Sequence, residues 1–405
     1  MGDLSKQASN RVLRRKVFYI PGYDPIHPRR YRELYRKEGA AQARISGYQI
    51  DLKPKATKGG YGWQVTGQID GHKTEAEVDV LVWSDIVKSS MNQGILSTYL
   101  QLFRTAWAYI GSGALFRLMK LRQGPMVAAL YPILLLLVQL IVALLAGWGM
   151  GAVVTLFSHW SLGLLAAGGL AWGILAMFRR WDNRILAYYL MHDYAYSAQS
   201  WGANPPELET RMAAFRSSIA RAMAEEVDEV LVVGHSSGAH LAVSILSDLI
   251  RAGQVGSGPA LGFLSLGQVV PMVSFLPEAR RLRGDLAFLS IRDELTWVDV
   301  TAPGDGCAFA LCDPVAVTGV APPNKRWPLV ISAAFSQTLS PERWQELRRQ
   351  YFRLHFQYMC AFDRPGDYDY FKITAGPLTL AARYAGRAAS KSRIETPLSG
   401  YRSIA

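Results

Sequence analysis

The chain has 405 residues, half of them apolar, and a formal net charge of +12. That length allows one large domain or two ordinary ones, and the apolar content excludes a largely disordered chain. The cysteines, Cys307, Cys312 and Cys360, are odd in number and lack zinc-ligand spacing, which argues for free thiols in a reducing compartment.

The stretch from Met1 to Lys16 is polar and basic with no apolar h-region, so no secretory signal is expected. Met1-Gly2 opens like a myristoylation site, but Lys6 stands where Ser or Thr is required. Lys16-Val17-Phe18-Tyr19-Ile20 predicts a buried strand, stopped by Pro21-Gly22. An amphipathic helix is expected from Pro28 to Ala43. Tyr48 to Pro54 and Trp63 to Asp70 read as a β-hairpin around Lys58-Gly59-Gly60, and Glu77 to Trp83 as a further strand.

From Met126 to Phe178 there is no Asp, Glu, Lys or Arg. A membrane-crossing helix needs about 20 apolar residues, so this run holds two spans and a turn. The turn falls at Gly147-Trp148-Gly149-Met150-Gly151 or at Ser158-His159-Trp160-Ser161, and the sequence leaves both open. Arg117, Lys120 and Arg122 precede the run; Arg179, Arg180 and Arg184 follow it. The positive-inside rule then predicts a two-span membrane protein with both soluble parts on the cytoplasmic side. A lipid bilayer rich in anionic headgroups also accounts for the net charge. The other basic residues are scattered and carry no nucleic-acid-binding signature, so no nucleic-acid partner is expected.

Beyond the apolar run, Glu207 to Glu226 has a helical period. Strands are expected at Asp228 to Val233, Gly262 to Gly267, Leu286 to Ile291, Thr296 to Val300 and Leu329 to Ala334. Pro341 to Arg349 reads as a helix with Ser340 as N-cap and Pro341 at its first position. The tail after about Ala388 is polar and basic and is expected to be loose. Strands alternating with helices argue an α/β class with a mainly parallel sheet flanked by helices. The expected organisation is an α/β domain in two parts, 1–123 and 181–388, interrupted by a transmembrane helical hairpin over 124–180 and followed by a tail, 389–405.

One stretch carries chemistry. Gly234-His235-Ser236-Ser237-Gly238 is a G-x-S-x-G pattern between an apolar β-branched strand and the helical Ala239 to Leu246. A sharp strand-to-helix turn strains the serine and exposes its hydroxyl, and glycines flank it because side chains there would collide with neighbouring elements. On this motif and the strand–helix order, the chain resembles the α/β-hydrolase superfamily, in particular its lipase-like and esterase-like members.

The resemblance implies a triad in the order Ser, Asp or Glu, His. Past Ser236 the only histidines are His240 and His355. His240 lies one turn along the outgoing helix and cannot swing back, so His355 is the expected base. Asp305 is the expected acid, in the loop after the strand Thr296 to Val300; Asp313 and then Asp299 are the alternatives. The oxyanion donors implied are the backbone N–H of Ser237 and that of Tyr23, with Gly22 as the alternative, in Pro21-Gly22-Tyr23-Asp24.

A serine hydroxyl needs a base to remove its proton, a neutral imidazole serves near pH 7, and a buried carboxylate fixes the imidazole's tautomer. No cofactor or metal is required. The expected activity is that of a membrane-anchored serine hydrolase cleaving carboxylic esters of lipid or acyl type. Acyl transfer or thioester cleavage by the same triad is one alternative. A non-enzymatic membrane receptor or scaffold that keeps the fold is another. The sequence is silent on oligomeric state.

Overall fold

The computed structural model describes residues 11–55, 59–91, 94–182 and 187–405. Eight strands form one sheet: β1 (Arg14–Ile20), β2 (Gln49–Pro54), β3 (Gly62–Ile69), β4 (His72–Val80), β5 (Glu229–His235), β6 (Ala260–Leu266), β7 (Leu295–Thr301) and β8 (Leu329–Ser332). Their spatial order is β2-β3-β4-β1-β5-β6-β7-β8. The pairs β2–β3 and β3–β4 are antiparallel, and every other neighbouring pair is parallel. The class is therefore α/β with a mixed, mostly parallel sheet.

The principal helices are α1 (Arg29–Ser46), α2 (Ser84–Met91), α3 (Ile95–Gly111), α4 (Ala114–Leu121), α5 (Gln123–Phe157), α6 (Trp160–Arg180), α7 (Ala187–Ala198), α8 (Pro206–Ala222), α9 (Ser237–Arg251), α10 (Arg280–Leu289) and α11 (Pro341–Leu347). The central strands are apolar on both faces, as helix-covered parallel strands must be. Phe18, Val230, Val232 and Phe263 enter the core on one face of the sheet. Val17, Tyr19, Leu231 and Val233 enter the core on the other. Each such fully buried side chain contributes roughly 1.5–3 kcal/mol.

Three expectations need correction. Leu286 to Ile291 is not a strand: α10 covers Arg280–Leu289. Leu282, Leu286 and Leu289, spaced four and three apart, all face the core, which is a helical period rather than an alternating one. The fourth strand runs from His72 to Val80, and Leu81 to Trp83 leaves the sheet. There the Leu81 N–H still donates to Tyr19 O and the Trp83 indole N–H donates to Pro21 O, both at 2.9 Å. The tail is not loose. Ile394 N–H donates to Leu311 O at 2.7 Å, Asp313 N–H donates to Ile394 O at 2.9 Å, and Leu398 N–H donates to Val317 O at 3.0 Å. Ile394 and Leu398 pack against the core, so the tail is held by backbone pairing as well as apolar contact.

The hairpin of apolar helices is present as α5 and α6, both long and apolar enough to cross a membrane. Of the two turn positions, the break falls at Ser158–His159, where the His159 side chain accepts from Ser161 N–H. Gly147 to Gly151 is instead helical and forms the contact seam. A Cβ on Gly147 would stand 2.6 Å from Ala167 O, and one on Gly151 would stand 2.9 Å from both Gly163 O and Ala167 Cβ. Small residues four apart let two apolar helices touch backbone to backbone. Lys58 and Arg184 lie outside the described residues.

The lower end of α5 belongs to the sheet-bearing part of the molecule. Met126 and Ala129 join the core on one face of the sheet. Further along α5, Leu136 packs with Leu102 of α3 and with Ala187, Tyr188 and Met191 of α7. Helices α3, α7 and the first half of α5 thus form a cap beside the carboxyl ends of the parallel strands.

Candidate active site

Strand β5 ends at His235 and α9 begins at Ser237, leaving Ser236 alone in the turn. Its φ of 55° and ψ of −122° are unusual for a residue with a side chain. The surrounding glycines are steric necessities. A Cβ on Gly238 would lie 2.1 Å from Ile20 O, and one on Gly234 would lie 2.8 Å from both Ala239 Cα and Gly238 O. A Cβ on Gly22 would lie 2.9 Å from Ser236 Cβ, so β1's exit loop passes directly over the serine. The turn is thus wedged between two backbones, and Ser236 remains half-buried at the cleft.

His355 ends the one-turn helix Tyr351–His355. Its Nδ1 is 2.7 Å from Asp305 Oδ2. Asp305 is fully enclosed and well satisfied: Cys307 N–H donates to Oδ1 at 2.9 Å, and Tyr358 O–H donates to Oδ2 at 2.9 Å. Burial disfavours its charge, but the His355 ring and these donors outweigh burial and hold the carboxyl below its usual range. Tyr358 is itself anchored, accepting from Ala302 N–H at 3.0 Å. The His355 carbonyl lies 3.0 Å from His235 Nε2. Burial, with His355 nearby, pushes His235 down to about 3, so it is neutral and serves as a donor that fixes the loop.

Ser236 and His355 line the same cavity of about 90 Å³, together with Gly22, Tyr23, Tyr189, Asp193, Cys307 and Ala128. No direct hydrogen bond joins the Ser236 hydroxyl to the His355 ring. The carboxylate–imidazole half of the expected triad is therefore formed, and the serine shares its cleft. No described residue accepts a hydrogen bond from the N–H groups of Gly22, Tyr23 or Ser237, which leaves all three free beside Ser236. The Tyr23 side chain is engaged elsewhere, with its hydroxyl 2.6 Å from Ser90 Oγ.

The alternative acids have other work. Asp313 caps the helix Pro314–Thr318, accepting from Val315 and Ala316 N–H at 3.0 Å, and pairs with Lys325 Nζ at 2.6 Å. Asp299 is sealed in the sheet, where Ser265 Oγ donates to it at 2.6 Å, and burial pushes it up to about 8. His240 is enclosed within α9, and burial lowers it to about 4. Asp305, Cys307 and His355 offer ligand atoms within 4.8 Å of one another. His355 Nδ1 is already spent on Asp305, however, and burial pushes the Cys307 thiol up, so this donor set suits a hydrogen-bonded pair better than a cation.

Two site residues escaped the sequence reading. Tyr358 carries no motif and meets Asp305 only through folding. Asp193 is the lone acid of the aromatic helix α7 (AYYLMHDYAYSA), and an isolated charge in an apolar helix was the available signal. It is half-buried on the cavity wall, and burial, partly opposed by His355, pushes it up to about 7.

No protein-family model, curated protein or solved structure matches the chain.

Proposed function

We propose that the chain is a membrane-anchored serine hydrolase of the α/β-hydrolase type, acting on carboxylic esters of lipid or acyl character. One observation carries this reading: His355 Nδ1 is bonded to a buried, ionised Asp305 at 2.7 Å and faces the same cleft as the strained Ser236. With Nδ1–H donated to the carboxylate, Nε2 is left as the proton acceptor.

In the reaction, Ser236 Oγ attacks the ester carbonyl while His355 takes its proton. The tetrahedral oxyanion accepts from the N–H of Ser237 and of Tyr23 or Gly22, none of which has another acceptor among the described residues. His355 then protonates the leaving alcohol, and water repeats the sequence on the acyl-enzyme. An acyl acceptor other than water would give acyl transfer by the same steps. Chain order (Ser236, Asp305, His355) and the parallel strands on both sides of the turn support the family assignment. Helices α5 and α6 are the proposed membrane anchor, with the basic flanks and the site on the cytoplasmic side.

The missing direct bond between Ser236 and His355 favours a second reading, a membrane scaffold with the fold but without turnover. Labelling with a fluorophosphonate probe separates the two. Wild type is expected to label and Ser236→Ala to remain unlabelled; a wild type that stays unlabelled while folded defeats the hydrolase reading.

A further inference from the structure

Helix α3 has two faces. Ile95, Tyr99 and Leu102 seat on the hairpin: Ile95 clusters with Ala143 and Leu175, Leu102 clusters with Leu136, and Tyr99 O–H donates to Leu136 O at 3.1 Å. The adjacent face, Leu96, Leu100, Phe103, Trp107 and Ile110, is 50–69 % exposed. Those positions recur at spacings of three and four, so they form one continuous stripe along the helix. Arg104 is the only charge on α3. An apolar stripe of this size needs an occupant.

The register of the hairpin says which. Gly163 meets Thr155, and Ala167 meets Gly151. Ala171 meets Gly147, and Leu175 clusters with Ala143. Continued, this antiparallel register sets Arg180 beside Val138. The part of α5 that α6 accompanies, Val138 to Phe157, is about 30 Å long, the thickness of a hydrocarbon core. Arg179, Arg180 and Trp181 then stand at the boundary of that core on the side of the active site. By its contacts α3 runs antiparallel to α5, from the level of Ala143 at Ile95 down toward the level of Ala128. It therefore crosses that boundary. Leu96 falls inside the core, Leu100 at its edge, and Phe103 and Arg104 about 5–6 Å past it in a headgroup layer roughly 5–7 Å deep, with Trp107 and Ile110 beyond its outer limit.

We infer that the bare face of α3 is a second bilayer contact, seated in the site-side leaflet next to the hairpin. This rests on the reading of α5 and α6 as a membrane anchor. Charge agrees with it: Arg104 comes at headgroup depth and can extend its guanidinium to lipid phosphate. Ala128, at the lower end of the same contact, lines the active-site cavity, so the site opens directly beneath the headgroups and draws its substrate from that leaflet.

The test is nitroxide labelling of full-length protein in vesicles of mixed zwitterionic and anionic phospholipid. Single cysteines are introduced at Leu96, Leu100, Phe103 and Trp107 with Cys307, Cys312 and Cys360 replaced. Leu145 and Leu164 report the hairpin, Asp51 reports water, and fluorophosphonate labelling or native-like thermal unfolding certifies each variant's fold. Collision with oxygen relative to a water-soluble nickel complex is expected to fall in the order Leu96, Leu100, Phe103, Trp107, with Leu96 matching Leu145. Water-like values at Leu96 and Leu100 with lipid-like Leu145 and Leu164 overturn this inference alone. Water-like values at all six overturn the anchor as well. Labels at α3 shielded from both reagents identify a second copy of the chain as the occupant and also overturn it.

Discussion

The two walls of the cleft are built on opposite principles. On the sheet side the acid and base are firmly held: Asp305 accepts from Cys307 N–H and Tyr358 and bonds His355, while His235 holds the His355 carbonyl. On the cap side, formed by α3, α7 and the foot of α5, Asp193 faces the cavity without such a set, among Tyr189, Tyr194 and Ala128. The sheet side is a fixed instrument whose groups are pre-aligned by strand ends and backbone contacts. The cap side is lined by Ala128, Tyr189, Leu190 and Tyr194 around the single acid Asp193. Under the proposed hydrolase reading, reaction steps belong to the sheet wall and substrate entry to the cap wall.

The sharpest way to break this division is at the sheet wall. His355→Ala and Asp305→Asn are each expected to lower kcat by about 10³–10⁴, since either change leaves the serine without a correctly held base. Asp313→Asn, which breaks the ion pair of the buried Asp313 with Lys325, is expected to lower the melting temperature yet leave kcat within a few-fold. Equal kcat losses for Asp305→Asn and Asp313→Asn would remove Asp305 from the triad. Steady-state hydrolysis of a short-chain nitrophenyl ester together with a thermal melt reads both.

Gly238→Ala tests the rigidity of the same wall. Its Cβ would stand 2.1 Å from Ile20 O, so the β1 loop must move. A destabilisation of about 3 kcal/mol or more is expected by denaturant unfolding. A neutral Gly238→Ala would mean that the turn is not wedged as described.

Changes in the proposed anchor are expected to act on stability but not on chemistry. Gly151→Leu forces α5 away from Gly163 and Ala167. The melting temperature in detergent is expected to drop by several degrees, with probe labelling per folded molecule unchanged. Truncating the whole hairpin is a different matter. Met126 and Ala129 are part of the sheet's core and Ala128 lines the cavity, so a cut at residue 124 removes a wall of the site.

The smallest effect is expected on the cap side. Asp193, lifted to about 7 by burial, should add an inflection near neutral pH to the kcat/KM profile, with Asp193→Asn losing it at a cost of a few-fold. The sign for stability follows from a folded value above the unfolded one, about 3.9. Below both values the group is protonated in both states and contributes nothing. As pH rises from about 4 to 7 the unfolded chain ionises first, and stability falls. Asp193→Asn should therefore equal wild type in stability near pH 3 and exceed it modestly at pH 8, the half-exposed position limiting the gain. Superimposable stability profiles would show that the cavity solvates Asp193 fully.

How much of this was written in the chain differs between the two walls. The elbow at Ser236 and the parallel strands were legible, as was the base His355 once the hydrolase resemblance implied a triad. Local strand and helix periods, glycine sterics and a shortage of candidate histidines restrict those choices before any folding. That Asp305, rather than Asp313 or Asp299, is the partner of His355 was decided by the fold. The uncharged run from Met126 to Phe178 likewise declared two long apolar helices. Composition did not decide the hairpin turn: Gly147 to Gly151 looks like a turn by residue type, and only the approach of α6 makes it a seam. Leu286 to Ile291 was too short and apolar for its period to be read without knowing what it packs against. Asp193, Tyr358 and the α3 stripe gained their meaning from contacts spanning tens to hundreds of residues. The sequence determined which residues could form strands, an elbow and apolar helices, because those depend on neighbours along the chain. The tertiary structure alone decided which of them face the cleft and which face outward, because that depends on neighbours in space.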